Sequence, residues 1–205
     1  MRPAVVLLLA LALVVRVVVV VATPDYELQA DPQDYERHAI SLADDGRYPP
    51  PARDIDGASA YRPPAYPFFL AAVYKATPGN SRTVARLAQA VLGTLTVGLL
   101  GLVAWQLLGA RVALVAMGIG AVYPSMWMLG SAFLSEVLLT PLVLGAVAAA
   151  LHWRRDPRLR WIVLAGVLAG LCTLTRQNAA LMLVPLLLAA LPARGARRSA
   201  RGWLA

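Results

Sequence analysis

Long apolar runs separated by short polar connectors organise almost the whole sequence. They fall at about 3–23, 82–108, 111–129, 131–152, 160–176 and 178–193, each near or above the roughly 20 residues a helix needs to cross a bilayer. In lipid every backbone polar group must be satisfied internally, and runs of this length suit helices. The pattern therefore predicts an all-α fold, a polytopic transmembrane helix bundle of about six spans. A further apolar stretch, PPAYPFFLAAVYKATP at 63–78, has only half to three-quarters of a span and opens on prolines, so it predicts an interfacial or re-entrant helix.

The polar positions are as unevenly spread as the apolar ones. Nine of the eleven acids lie between the first two spans: Asp25, Glu27, Asp31, Asp34, Glu36, Asp44, Asp45, Asp54 and Asp56. Within that segment, DPQDYERHAISLADDG has an aspartate placed as a helix N-cap, proline at the first helical position, an acid three residues after the cap and glycine as the stop. Tyr35, Ala39, Leu42 and Ala43 share one face at helical spacing. The first loop is thus expected to be long and partly helical, with its charges turned away from the bundle.

Six spans with both ends of the chain on one side gather Arg2, Arg111, the Arg154, Arg155, Arg158, Arg160 cluster and Arg194, Arg197, Arg198, Arg201 together, facing only Asp156. The positive-inside rule makes that side cytoplasmic and the acidic loop extracytoplasmic. The expected location is the inner (plasma) membrane, multi-pass, with both termini inside. Arg16 interrupts the first apolar run and no small-x-small cleavage site precedes Pro24, so this run reads as a retained anchor rather than a removed signal. The expected organisation is a single transmembrane domain over 1–205: an outer loop at 24–81, a five-span bundle at 82–193 and a basic tail at 194–205.

Net charge of +8 would suggest nucleic-acid binding in a soluble chain, but here the arginines sit in connectors and set topology, which argues against a nucleic-acid partner. Cys172, the single cysteine, lies inside an apolar run and reads as a small core filler. No His/Cys cluster suggests zinc. The loop carboxylates suit a hard ion such as Mg²⁺ or Mn²⁺, and the sequence leaves the metal open.

Several stretches, taken in order, carry a resemblance: an arginine-bearing first span, DPQDYERHAISLADDGRYPP, YRPPAYPFFLAAVYK, ARLAQAVLGTLTVGLL, ALVAMGIGAVYPSMW, SEVLLTPLVL and LAGVLAGLCTLTRQNAALMLVP. Together they resemble the N-terminal half of the GT-C membrane glycosyltransferases, of the protein mannosyltransferase and aminoarabinose transferase type (glycosyltransferase family 39). The resemblance implies transfer of a sugar from a polyprenyl-phosphate donor to a lipid, glycan or protein acceptor on the extracytoplasmic side, by an acid of the first outer loop. Members of the family usually continue for several further spans. A non-catalytic membrane module, a truncated subunit or lipid-carrier-binding partner, therefore stands as the alternative.

Transfer from a lipid phosphate to a hydroxyl or amine needs a base near the nucleophile and positive charge where the phosphate departs. Asp31 matches the family's catalytic acid, against its plainer reading as a helix cap, and Asp34 is the reserve. Arg62, before Pro63 and Pro64, and Arg176, in LTRQNA, match positions that would hold the donor phosphate. Arg82 and Arg86 read as headgroup anchors and His38 as a surface partner of Asp34. Arg16 and Glu136 have matching expected depths of about 10 Å and 8 Å below the outer ends of their spans. Each alone would be costly in lipid, so a structural pair between them is the expected resolution.

Overall fold

The computed structural model describes residues 2–49, 62–77, 79–182 and 184–186, and the expected tail at 194–205 lies outside them. Among the described residues the chain is helical and has no strands. The elements are α1 (Arg2–Ala22), α2 (Asp31–Asp44), α3 (Ala65–Lys75), α4 (Arg82–Leu108), α5 (Ala110–Val122), α6 (Pro124–Ser131), α7 (Glu136–Arg155), α8 (Leu159–Thr175) and a 3-10 turn, Gln177–Met182. Three of them, α1, α4 and α7, are long and apolar enough to cross a membrane, while α5 and α8 are apolar but shorter. Helix α4 packs against α1, α5 and α7, and α7 packs against α8. Cys172 is buried in α8, as a core filler would be.

Three expected spans differ from what is observed. The run at 111–129 is two helices, broken between Tyr123, which is extended at φ −66° and ψ 120°, and Pro124. Proline carries no N–H, so it cannot bond the carbonyl four residues back, and it opens α6 where a missing donor costs nothing. The run at 131–152 starts as a helix only at Glu136. Of the last expected span, the described residues open as the 3-10 turn rather than as an α-helix.

The break would strand the last carbonyls of α5, and each of the four finds a donor. The Ile119 carbonyl accepts from the Tyr123 N–H at 2.8 Å. Arg16 Nη2 donates to the Gly120 carbonyl at 3.3 Å and Nη1 to that of Ala121 at 3.4 Å. Trp127 Nε1 donates to Val122 at 3.1 Å. An orphan carbonyl in a bundle is expensive, so the fully buried arginine of α1 acts as the C-cap of a different helix. Gly93 makes room for it, because a Cβ there would sit 2.6 Å from Arg16 Nε.

Arg86 acts likewise, a layer higher in the bundle. It is buried, and it donates to the Val20, Thr23 and Ser131 carbonyls at 3.4, 2.6 and 3.2 Å, closing the ends of α1 and α6. It is a structural bolt rather than the headgroup anchor expected of it.

The described helices of the acidic loop share a core of their own. Tyr35 and Ala39 of α2 are buried against Tyr66, Leu70 and Tyr74 of α3 and against Phe133, with Leu42 and Ala43 packed at the margin. Thus α2 lies on α3 and the two form a cap on the bundle. The 11-residue α3 is too short to cross a membrane, in keeping with the interfacial helix expected there. Helix α2 ends at Asp44, and two residues on Gly46 has a φ of 67°, a conformation glycine adopts freely.

Candidate functional site: a carboxylate pair on one arginine

Helix α2 brings Asp31 and Asp34 to one side of its first turn, and the chain returns past them at Arg62. The Arg62 guanidinium bridges the two acids: Nη2 donates to Asp31 Oδ1 and Nε to Asp34 Oδ2, both at 2.6 Å. Its carbon lies 4.9 Å from the centre of the Tyr35 ring, and its backbone carbonyl accepts from the Tyr48 hydroxyl at 2.6 Å. The flanking prolines and the Tyr48 bond hold this arginine in register with the acids.

The two acids are not equivalent. Asp31 is 58% exposed in its side chain, against 16% for Asp34. Burial alone would raise the Asp34 carboxyl, but hydrogen bonds from Arg62 and Arg37 and the nearby His38 outweigh it and hold it below the usual carboxylate range. Burial lowers Arg62, but its bonds to the two aspartates win and raise it further above its ordinary value. Asp34 is thus a firmly ionised anchor, and Asp31 is the acid that faces solvent.

The expected cap is corrected here. The N-cap position belongs to Ala30, no side chain bonds the first turn, and Asp31 occupies the first helical position. Its carboxylate is drawn to Arg62 instead. Ala30 itself has φ 57°, an uncommon conformation for a residue with a Cβ.

His38 is also corrected: its side chain is fully buried rather than at the surface. Nδ1 lies 2.7 Å from the Asp34 carbonyl, which makes it the protonated nitrogen, and Nε2 has no partner among the described residues. Burial pushes the imidazole below its ordinary value of 6.5, against the pull of the Asp34 carbonyl and carboxylate and with the help of Arg37 and Arg62. A group whose pKa is lowered on folding supports the fold above its unfolded value and ceases to do so as pH falls through the folded one. Thermal unfolding of the wild type is therefore expected to move to lower temperature between pH 7 and pH 5, and His38→Gln should flatten that dependence. Parallel slopes for the two proteins would exclude His38 as its source.

The expected pair of Arg16 and Glu136 does not form. Arg16 donates to the Ala12, Gly120 and Ala121 carbonyls instead, and Glu136 is the first residue of α7. Both border one cavity of about 260 Å³. Glu136 is paired with Arg176 instead, and the Ser135 hydroxyl links Glu136 Oε2, at 3.3 Å, to the Tyr35 hydroxyl, at 3.2 Å. The two expected phosphate-holding arginines are thereby connected through Tyr35, Ser135 and Glu136.

Sequence reasoning missed Glu36. It is 7% exposed and takes both Arg82 Nε and Nη2, at 2.6 and 2.7 Å, together with the Tyr74 hydroxyl at 3.2 Å. This fork ties α2 to the start of α4. The signal was present, since Glu36, Ala39 and Ala43 follow one stripe at i, i+3 and i+7.

Among the described residues no three His, Cys, Asp or Glu side chains converge as a metal cluster. Asp31 and Asp34 are the acids that would hold a hard cation, and each already gives one oxygen to Arg62. An apolar hollow of about 520 Å³ is lined by Pro64, two residues from Arg62 in sequence, and by Phe68, Leu138, Leu171 and Leu174.

The family described as dolichyl-phosphate-mannose-protein mannosyltransferase matches residues 61–204. The chain belongs to this family. No match was found among curated proteins or among solved structures. Membership in the mannosyltransferase family implies a membrane glycosyltransferase using polyprenyl-phosphate sugar donors. Of the candidate residues, Arg62, Glu136 and Arg176 fall inside the family match, and Arg16, Asp31 and Asp34 precede it.

Proposed function

We propose that this mannosyltransferase-family chain passes a sugar from a polyprenyl-phosphate donor to a lipid, glycan or protein acceptor on the extracytoplasmic side of the membrane. The observation that carries the reading is the Arg62 fork on Asp31 and Asp34, two residues along the chain from Pro64, which lines the apolar hollow. A lipid tail in that hollow would bring its phosphate to the arginine. The phosphate then competes with Asp31 for Nη2, while Asp34 keeps Nε and holds the guanidinium in place. The released Asp31 accepts the proton of the attacking hydroxyl or amine as that atom displaces the lipid phosphate at the anomeric carbon with inversion. The leaving phosphate is already a weak base, so charge stabilisation by Arg62, with Arg176 in support, matters more than a general acid.

A second reading has an observation of its own. Both acids and the arginine are satisfied by one another, as in a structural brace, which suits a non-catalytic module that only holds a lipid carrier. Membranes containing the chain, supplied with a radiolabelled polyprenyl-phosphate sugar, separate the two. Transfer of label supports the enzyme, whereas donor binding without transfer supports the module.

Arg62→Lys sharpens the test. A lysine keeps the charge but cannot make the two-armed contact. KM for the donor is expected to rise on the order of tenfold, the worth of roughly one charge-assisted hydrogen bond. An unchanged KM would remove Arg62 from phosphate binding.

A further inference from the structure

A second apolar groove, of about 530 Å³, runs between α4, α7 and α8 and shares Leu138 and Leu142 with the hollow lined by Pro64. Its far end is unlike the rest. There the lining includes Gln106, His152 and Trp161, and two buried polar atoms have no partner among the described residues: the acceptor Gln106 Oε1 and the donor Trp161 Nε1. Gln106 is 7% exposed, and its amide nitrogen is already used on the Ala148 carbonyl at 3.2 Å. A buried donor and acceptor left open at one end of an apolar groove is costly unless a ligand with hydrogen-bonding groups meets them.

Positive charge stands beside both atoms. Arg155 donates to the Gln106 backbone carbonyl, and the Arg160 guanidinium lies 4.9 Å from the centre of the Trp161 ring. His152 also packs against that indole, with ring centres 4.1 Å apart. Arg154 and Arg158 are exposed in the same basic stretch of the chain, and Asp156, the one acid in that connector, is held by Arg158 at 3.1 Å.

We infer that the end of this groove is a binding site for an anionic phospholipid of the leaflet on the Arg155 side. Its phosphate lies between Arg155 and Arg160, its glycerol-ester oxygens reach Trp161 Nε1 and its glycerol hydroxyls reach Gln106 Oε1, while one acyl chain fills the groove along Leu142 and Leu168. The sugar donor is not the occupant. Glu136 and Arg155 are the two ends of α7, about 28 Å apart at 1.5 Å per residue. A phosphate at Arg155 is therefore out of reach of Asp31.

The full chain, purified in detergent and stripped of lipid, is titrated with phosphatidylglycerol or phosphatidylcholine and observed by native mass spectrometry. The wild type is expected to retain one phosphatidylglycerol in preference to phosphatidylcholine. The double variant Arg155→Ala, Arg160→Ala should lose that preference by roughly thirtyfold, since each basic residue near an anionic lipid surface contributes about fivefold. Trp161→Phe keeps the ring and its packing and should weaken retention a few-fold. Asp31→Asn should retain the lipid as the wild type does, which keeps this site separate from the transfer site. Equal binding of the two lipids, an unaffected double variant, or displacement of phosphatidylglycerol by one equivalent of polyprenyl phosphate would each overturn the assignment.

Discussion

Asparagine at position 31 is expected to lower sugar transfer by roughly 10²- to 10⁴-fold, the range a positioned general base contributes, while the chain remains folded. The carboxamide oxygen can still accept from Arg62 Nη2, and no cap is lost because Asp31 caps nothing. What disappears is the ability to take a proton. The measurement is kcat with a labelled polyprenyl-phosphate sugar, alongside a donor KM that should change little. Asp34→Asn should behave differently: that carboxylate anchors Arg62, so its loss raises KM and lowers the melting temperature together. Full transfer by the Asp31 variant would exclude it as the base and return the fork to the status of a brace.

Valine at position 93 is expected to destabilise the bundle by about 3–5 kcal/mol, the worth of two charge-assisted hydrogen bonds. The Cβ it introduces would stand 2.6 Å from Arg16 Nε and 3.0 Å from Cδ. Arg16 cannot yield without letting go of the Gly120 and Ala121 carbonyls. Alanine at Gly118 is the matched control, since its Cβ meets only Leu8 at 3.9 Å. Thermal unfolding in detergent should separate the two variants clearly. If Gly93→Val melts with the wild type, Arg16 is not pinned where the geometry has it.

The helical bundle and the order of its elements were legible in the sequence because apolar run length is a strong, local signal. The α2 helix was legible too, down to its buried face of Tyr35 and Ala39. What escaped was long-range and polar. Arg16 and Glu136 looked like partners because each is a lone charge in an apolar run, but a peptide carbonyl freed by Pro124 is also a good acceptor, and sequence does not reveal where such carbonyls point. Glu36 escaped for the converse reason, since its partner Arg82 lies 46 residues away in sequence. The proximity of Asp31, Asp34 and Arg62 came only from the resemblance. Nothing in their spacing required one guanidinium to span both acids.

The Arg16 cap bears on biogenesis. A nascent chain leaves the ribosome N-terminus first, so α1 is in the bilayer before α5 is synthesised. The helix pair α5–α6 thus enters a membrane where the donor for its open carbonyls is already waiting. Swapping α1 for an arginine-free apolar segment should therefore stall the assembly of elements more than a hundred residues downstream, although the replacement would insert perfectly well itself.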